Sequence, residues 1–388
     1  MPYTVSDFVN SHSSSVRLLA GQGGLARPVG EVGILDYELV PGLTSRYQRT
    51  NFYEGQLVLS TFLYARDNPF LITDAVKYLV SVDAAALVVK NVFRLEIPDA
   101  ALRFANARNL PVLLVTSDHF YFDEVILQVG LRVRELEQTA FAQREIDALL
   151  AERDDEAAVL AHAQRLNPSF DDEVAALYVQ SDGSLEQGSA LALLHGMGDV
   201  RDLICGFDQG VLVILSADPL TDRRTQEALV QLQERLSGVE GIACMGMSEV
   251  HQGVASLALA ILEAIHAARI AELKGQSVVR HRELGTLRAL LPHATSPAMR
   301  SFERQVMEPL RDFDTEHNAQ LERTLTTYLE SGRSLAKTAE ALSTHPNTVR
   351  YRMGQIRQAT GLDWQKPQEM EQLSLAHAIA LAREVAWR

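Results

Sequence analysis

The chain has 388 residues, 47% hydrophobic and 22% charged, with a formal net charge of -14. This is the composition of an ordinary globular protein, and the length accommodates about two to three domains. The acidity argues against indiscriminate nucleic-acid binding, so any contact with phosphates must come from a local basic surface.

Two cysteines, Cys205 and Cys244, are too few for a disulfide framework and have no metal-ligand spacing. Both lie in apolar stretches and read as buried, inert thiols. The stretch from Met1 to Asp7 lacks the basic region and apolar core of a signal peptide, and no apolar run approaches the ~20 residues of a membrane helix. The expectation is a cytoplasmic, reduced, soluble protein without cofactor or bound metal and without a membrane partner.

Along the chain, the run from Ser11 to Ser15 reads as a loop or helix end, since small hydroxyl side chains compete for backbone hydrogen bonds. Gly21-Gln22-Gly23-Gly24 follows no strong strand and reads as a flexible loop. From 31 to 120, apolar strands at Leu57–Ser60, Ala85–Val89 and Pro111–Val115 alternate with helices at Leu71–Val80 and from Pro98 to about Asn109. That alternation predicts a parallel α/β sheet. From 120 to about 162 the pattern predicts one long helix. Ile126, Val129, Val133, Leu136 and Ala140, then Ile146 and Leu150, form a heptad-like seam. The seam fits either packing on its own domain or pairing with a second copy. Asp154-Asp155-Glu156 reads as a solvated face.

From 165 to 275 the order is strand (Ala175–Gln180), helix (Leu185–His195), a hairpin turning at Asp208-Gln209-Gly210, helix (Asp222–Leu236), strand (Ile242–Met247) and a long helix from Val254 ended by Gly275. This is the order of a ferredoxin-like palm. Residues 280 to 388 lack strand patterns and predict an all-α domain.

The stretch Ser331–Thr360 carries five basic residues, Arg333, Lys337, Arg350, Arg352 and Arg357, against one acid, Glu340. It reads as two short helices around a sharp turn. Leu335, Ala339 and Leu342 share one face of the first helix, and Val349, Met353 and Ile356 share the buried face of the second. Pro346 suits a first helical turn. The remaining surface holds Asn347, Thr348, Arg350, Tyr351 and Arg352. In helix-turn-helix proteins these early residues of the second helix enter the major groove, where Asn pairs with adenine and Arg with guanine. His345 adds a phosphate contact or simply sits at the helix start.

This segment resembles the helix-turn-helix domain of the PucR/CdaR family of bacterial transcriptional regulators, above all in His345-Pro346-Asn347-Thr348-Val349-Arg350-Tyr351-Arg352-Met353 and Thr360-Gly361-Leu362-Asp363. Upstream, Gly55–Thr61 and Asn109–Val112 resemble the family's sensory domain. Met245-Gly246-Met247-Ser248, with Ala264, Ala267-Ala268-Arg269 and Glu283-Leu284-Gly285, resembles its cyclase-like middle domain. Ser334, Thr344 and Pro346 depart from the residues usual in the family, which leaves operator preference open.

The resemblance implies a multidomain α/β plus all-α chain. The expected domains are a parallel α/β sensory domain over 1–120, a linker or signalling helix over 121–164, a degenerate GGDEF-like, ferredoxin-like middle domain over 165–283, and a helix-turn-helix domain over 284–388. It implies a metabolite-responsive regulator whose partners are operator DNA, a small-molecule effector and further copies of itself in a homodimer or higher homo-oligomer, with catabolic genes as targets. The expected DNA-contacting residues are Lys337, Thr344, His345, Asn347, Thr348, Arg350, Tyr351, Arg352 and Arg357. A working cyclase needs carboxylates on the first palm strand and an acidic hairpin turn. Here the strand offers Tyr178-Val179-Gln180 and the turn only Asp208, so no cyclase activity is expected. The competing readings are an enzyme with a catalytic N-terminal domain and regulatory C-terminal helices, and a DNA-binding oligomer without effector.

Overall fold

A computed structural model describes residues 2–36, 52–183, 189–191, 194, 199–218, 225–317 and 319–386. The chain divides into two compact units, Met1–Phe141 and Ala142–Arg388.

The first unit is built on a five-stranded sheet. In chain order its elements are α1 (Val5–Ser11), β1 (Val16–Ala20), β2 (Glu31–Ile34), β3 (Gln56–Ser60), α2 (Leu71–Ser81), β4 (Ala86–Val89), α3 (Asp99–Ala107) and β5 (Val112–Val115). The strand order is β1-β5-β4-β3-β2, with β2 to β5 parallel and β1 antiparallel on the edge. The period of two decides which core each residue joins. Val58, Leu87, Val89 and Val112 face α2 and α3, whereas Leu57, Leu59, Val88 and Leu113 face α1 and the helix that follows β5. The expected parallel α/β sheet is therefore present, buried on both faces.

The glycine turn after β1 is packed rather than flexible. Gly21 adopts a left-handed conformation (φ 77°), and its N–H donates to Asn106 Oδ1 at 2.7 Å. A Cβ on Gly21 would lie 1.9 Å from the Leu110 carbonyl oxygen, so only glycine allows this approach.

The predicted long helix breaks in two: α4 (Phe122–Ala151) and α5 (Glu156–Leu166). The break is chemical, because Asp155 caps α5 by accepting from the N–H groups of Ala157 and Ala158. The acidic run is a helix start, not merely a solvated face. The seam also differs from its expected register. Val125, Val129 and Val133 are buried in the first unit, while Ile126 and Ala140 are exposed. Ile146 and Leu150 are buried in the core of the second unit. Much of the seam is thus spent within the chain's own domains.

The second unit contains a palm: β6 (Glu173–Ser181), β7 (Leu203–Phe207), β8 (Gly210–Ala217), α6 (Thr225–Leu236), β9 (Ile242–Met247), β10 (His251–Gln252), α7 (Leu257–Lys274) and β11 (Val278–Arg280). The sheet runs β11-β9-β6-β8-β7, with β10 pairing β6. Most of the helix expected over 185–195, and the start of that expected from Asp222, lie outside the described residues. One face of the sheet carries α7 and the α4–α5 pair, the other α6. Contact with α7 is close: a Cβ on Gly246 would fall 2.1 Å from the Ala264 carbonyl oxygen. Contrary to the sequence expectation, Val254–Lys274 is long and apolar enough to cross a membrane, but 67% of its most apolar window is buried within the fold.

Beyond the palm lie α8 (Leu287–Leu290), α9 (Pro297–His317), α10 (Leu321–Glu330), α11 (Leu335–Ala341), α12 (Pro346–Thr360) and α13 (Pro367–Val385). These helices enclose their own core around Met307, Leu325, Val349, Met353 and Leu373. A further cluster joins the palm to the bundle: Ala267, Ile270 and Val279 pack with Leu287, Leu291, Ala382 and Val385.

Candidate nucleic-acid interface

Helix α11 starts at Ser334, whose side chain accepts from the Lys337 N–H. The chain reverses through Ser343, in the left-handed region at φ 51°. His345 then caps α12: its Nδ1 accepts from the Asn347 N–H at 3.2 Å, with Pro346 at the first helical position. This cap assigns His345 a structural task in addition to the phosphate contact considered for it. Helix α12 ends at Gly361, again left-handed at φ 73°.

The two helices are locked by their apolar seam. Val349, Met353 and Ile356 are fully buried, and small Ala339 lets α11 and α12 cross closely. Thr338 is buried without cost because its hydroxyl donates to the Ser334 carbonyl. What the seam hides fixes what the pair presents. Lys337, His345, Asn347, Arg350, Tyr351 and Arg357 are exposed, and Thr344, Thr348 and Arg352 are half-buried.

The nine expected residues do not form one uniform set. Asn347, Arg350 and Tyr351 share one face by their spacing of three and four, and Tyr351 is 67% exposed. Arg352 instead turns toward α10, donating to Gln320 Oε1 and Thr324 Oγ1 at 3.4 Å each. Arg357 pairs with Asp363 at 3.0 Å, beyond the end of its own helix. Sequence reasoning missed Gly354, seven residues after Asn347 on the same exposed face, where a Cβ would meet nothing within 4 Å. Mid-helix glycine costs helix stability, and no described neighbour requires the missing side chain at this open position.

The palm hairpin is the other place where chemistry was sought. The tip holds Asp208, in the left-handed region at φ 52°. Its N–H donates to Gln143 Oε1 at 2.8 Å, and Arg269 lies 3.9 Å from its carboxylate. The Tyr178 hydroxyl donates to the Phe207 carbonyl, and a Cβ on Gly210 would fall 2.6 Å from the Tyr178 ring. The tyrosine therefore fills the space beneath the turn, and burial pushes its pKa up. Among the described residues no three His, Cys, Asp or Glu side chains are grouped to hold a metal ion. Burial also pushes the Cys205 thiol up to about 12 and the Cys244 thiol up to about 11, which keeps both protonated and unreactive near neutrality.

Three family models match in succession: the purine catabolism regulatory protein-like family over residues 9–133, a GGDEF-like domain over 134–270, and the PucR C-terminal helix-turn-helix domain over 321–379. Among curated relatives, an uncharacterised protein of Haemophilus influenzae is 39% identical over 93 residues, 24% of each chain. One of Mycobacterium tuberculosis is 37% identical over 98 residues, 25% of this chain and 22% of the relative. The match thus spans about a quarter of the length of these relatives. A solved structure, the regulator of polyketide synthase expression from Bifidobacterium adolescentis, aligns with a TM-score of 0.30 and 24% identity over 63% of this chain and 93% of that one. In chain order, then, the chain is similar to a purine catabolism regulatory protein-like region, to a GGDEF-like domain directly after it and, beyond residue 320, to a PucR C-terminal helix-turn-helix domain.

Proposed function

We propose that this chain is a DNA-binding transcriptional regulator in which α12 reads the operator major groove and the N-terminal α/β unit responds to a small-molecule effector. One observation carries the reading. Helix α12 buries Val349, Met353 and Ile356 and holds Asn347, Arg350 and Tyr351 outward, on a locally basic surface of an acidic protein. Asn347 and Arg350 have the hydrogen-bonding forks that distinguish adenine and guanine. Lys337 and His345, exposed, and Thr344 and Thr348, half-buried, would hold phosphates and set the register. Arg352 and Arg357, each already engaged within the bundle, contribute mainly by stiffening it. The protein acts as a homodimer on two half-sites, because one helix covers too few base pairs for specificity. The effector acts by binding one arrangement of the chain better than another.

Selection of binding fragments from a genomic DNA library, followed by anisotropy titration of the enriched sequence, tests the reading. The expected result is a discrete site with two half-sites and an affinity that falls steeply with salt. Binding without sequence preference would sink the regulator reading; a single half-site bound by a monomer would remove the dimer. Thermal-shift screening with purine breakdown products, small organic acids and amino acids identifies the effector class.

A further inference from the structure

A cavity of about 610 Å3 opens within the second unit, and DNA reading makes no use of it. Its walls are apolar: Leu150 from α4, Ala258 and Leu262 from α7, and Leu291 after α8. Its floor is polar. Glu263, His266 and His281 line it, and each is more than nine-tenths buried. A polar floor under greasy walls, in a space of this size, is how small-molecule sites are commonly built.

The floor groups differ in what they offer an occupant. The Glu263 carboxylate is held by its own neighbours: the Glu249 N–H donates to Oε2 at 2.9 Å, and His251 Nε2 lies 2.9 Å from the same oxygen. His251, His281 and the Glu249 N–H together outweigh burial and hold its pKa down to about 2, so it is ionised near neutrality. His281 Nδ1 lies 3.1 Å from Glu263 Oε1, but outside hydrogen-bonding geometry. This buried nitrogen has no hydrogen-bond partner among the described residues, an unfilled capacity that a ligand can satisfy. Burial and Arg269 push the pKa of His266 down to about 4, so its ring adds polarity without charge.

The mouth is charge-balanced. Arg153 and Arg288 line it together with Asp147 and Asp154, all exposed. A carboxylate entering the cavity reaches an ionised Glu263. An ammonium group finds that carboxylate already engaged and two guanidinium groups at the rim. Neither sign of charge is favoured, whereas an uncharged polar group suits the floor and an apolar body suits the walls.

We propose that this cavity is a binding site for a small, uncharged, ring-sized organic molecule carrying an amide-like group. It is distinct from the effector site assigned above to the N-terminal unit. Its position gives it a route to the output domain. Ala386, just past the end of α13, lines the same cavity, and Arg269 of α7 donates to the Val385 and Ala386 carbonyls at 3.2 and 3.0 Å. An occupant therefore touches the place where the last helix of the DNA-binding bundle is tied to the palm. That consequence rests on the regulator reading; binding itself does not.

The test titrates the full chain with benzamide, benzoate and benzylamine by calorimetry. Benzamide is expected to bind at least about ten-fold more tightly than either charged probe. Leu259→Trp, at a half-exposed cavity-lining position, is expected to weaken benzamide by about ten-fold or more without lowering the unfolding temperature. Arg288→Ala is expected to change benzamide affinity by less than about three-fold. Hydrogen exchange on the unaltered chain locates the site independently of any variant, with protection expected at 255–266 and 281–295. Absence of saturable benzamide binding up to about 10 mM, equal binding of a charged probe, or protection elsewhere would overturn the proposal. A DNA titration with and without benzamide separates the two readings: unchanged DNA affinity removes the coupling and leaves the binding site standing.

Discussion

The tip of the β7–β8 hairpin and the first turns of α12 treat their polar residues in opposite ways. At the hairpin, Gln143 accepts the Asp208 N–H, Arg269 stands by its carboxylate, and Tyr178 fills the space beneath Gly210. At α12, Asn347, Arg350 and Tyr351 project into solvent while the seam behind them is sealed. The residue types at the two places are equally suited to ligands. What separates them is where their hydrogen-bonding capacity goes: into the fold at the hairpin, outward at α12.

That contrast can be broken most forcefully from behind. Met353→Ala removes a fully buried side chain from the seam, and an expected loss of about 2–5 kcal/mol in a urea melt of the helical bundle follows from the cavity left behind. A loss confined to DNA affinity, with no change in the melt, would contradict the assignment of Met353 to the core.

Acid tests the buried polar groups of the palm. The depressed pKa of His266 means that its stabilising contribution is complete above about 6.5 and is lost as pH falls from there toward 4. Glu263 contributes above its unfolded value and loses that contribution as pH falls toward 2. Stability should therefore decline on acidification from about pH 6.5, in two overlapping stages, as followed by thermal unfolding in a pH series. A flat profile between pH 6.5 and 4 would show that His266 is not held neutral by the fold.

On the outward face, Arg350→Ala and Asn347→Ala should each cost about 1–3 kcal/mol of specific operator binding in a gel-shift titration and leave the melt unchanged. Gly354→Ala sharpens the comparison further. It should raise bundle stability by roughly 0.5–1 kcal/mol, as expected for an unobstructed helix position, yet weaken operator binding by placing a methyl group on the reading face. Stabilisation without any loss of binding would remove Gly354 from the interface. The smallest effect is expected at the hairpin, where incubation with GTP and magnesium should yield no cyclic dinucleotide; turnover would overturn the reading of a palm that lacks the acids of a cyclase.

Much of this was legible in the sequence where a pattern is local. The unbroken apolar runs Leu57-Val58-Leu59 and Ala86-Leu87-Val88-Val89 mark buried strands, and the spacing of Val349, Met353 and Ile356 assigns a buried helix face, each without knowledge of the partner. The misreadings arose where the partner matters. Ile126 and Val125 are neighbours on one helix, and only the surface they meet selects Val125 for burial. Gly21 reads as slack until Leu110 is laid against it, and Asp155, solvent-exposed as expected, gains its capping role only because the chain ends one helix there and starts another. Arg352 and Arg357 look equivalent to Arg350 until Thr324 and Asp363 are brought beside them.

By itself, then, the sequence determined the two α/β regions, the helical end and the helix whose outward face carries Asn347 and Arg350, because periodicity and capping act over a few residues. Only the tertiary structure decided which basic residues remain outward, that Tyr178 occupies the space beneath the palm turn, and that Glu263, His266 and His281 meet on the floor of one cavity. Those outcomes depend on residues up to tens of positions apart competing for the same hydrogen bonds and the same space, and no local pattern encodes the result of that competition.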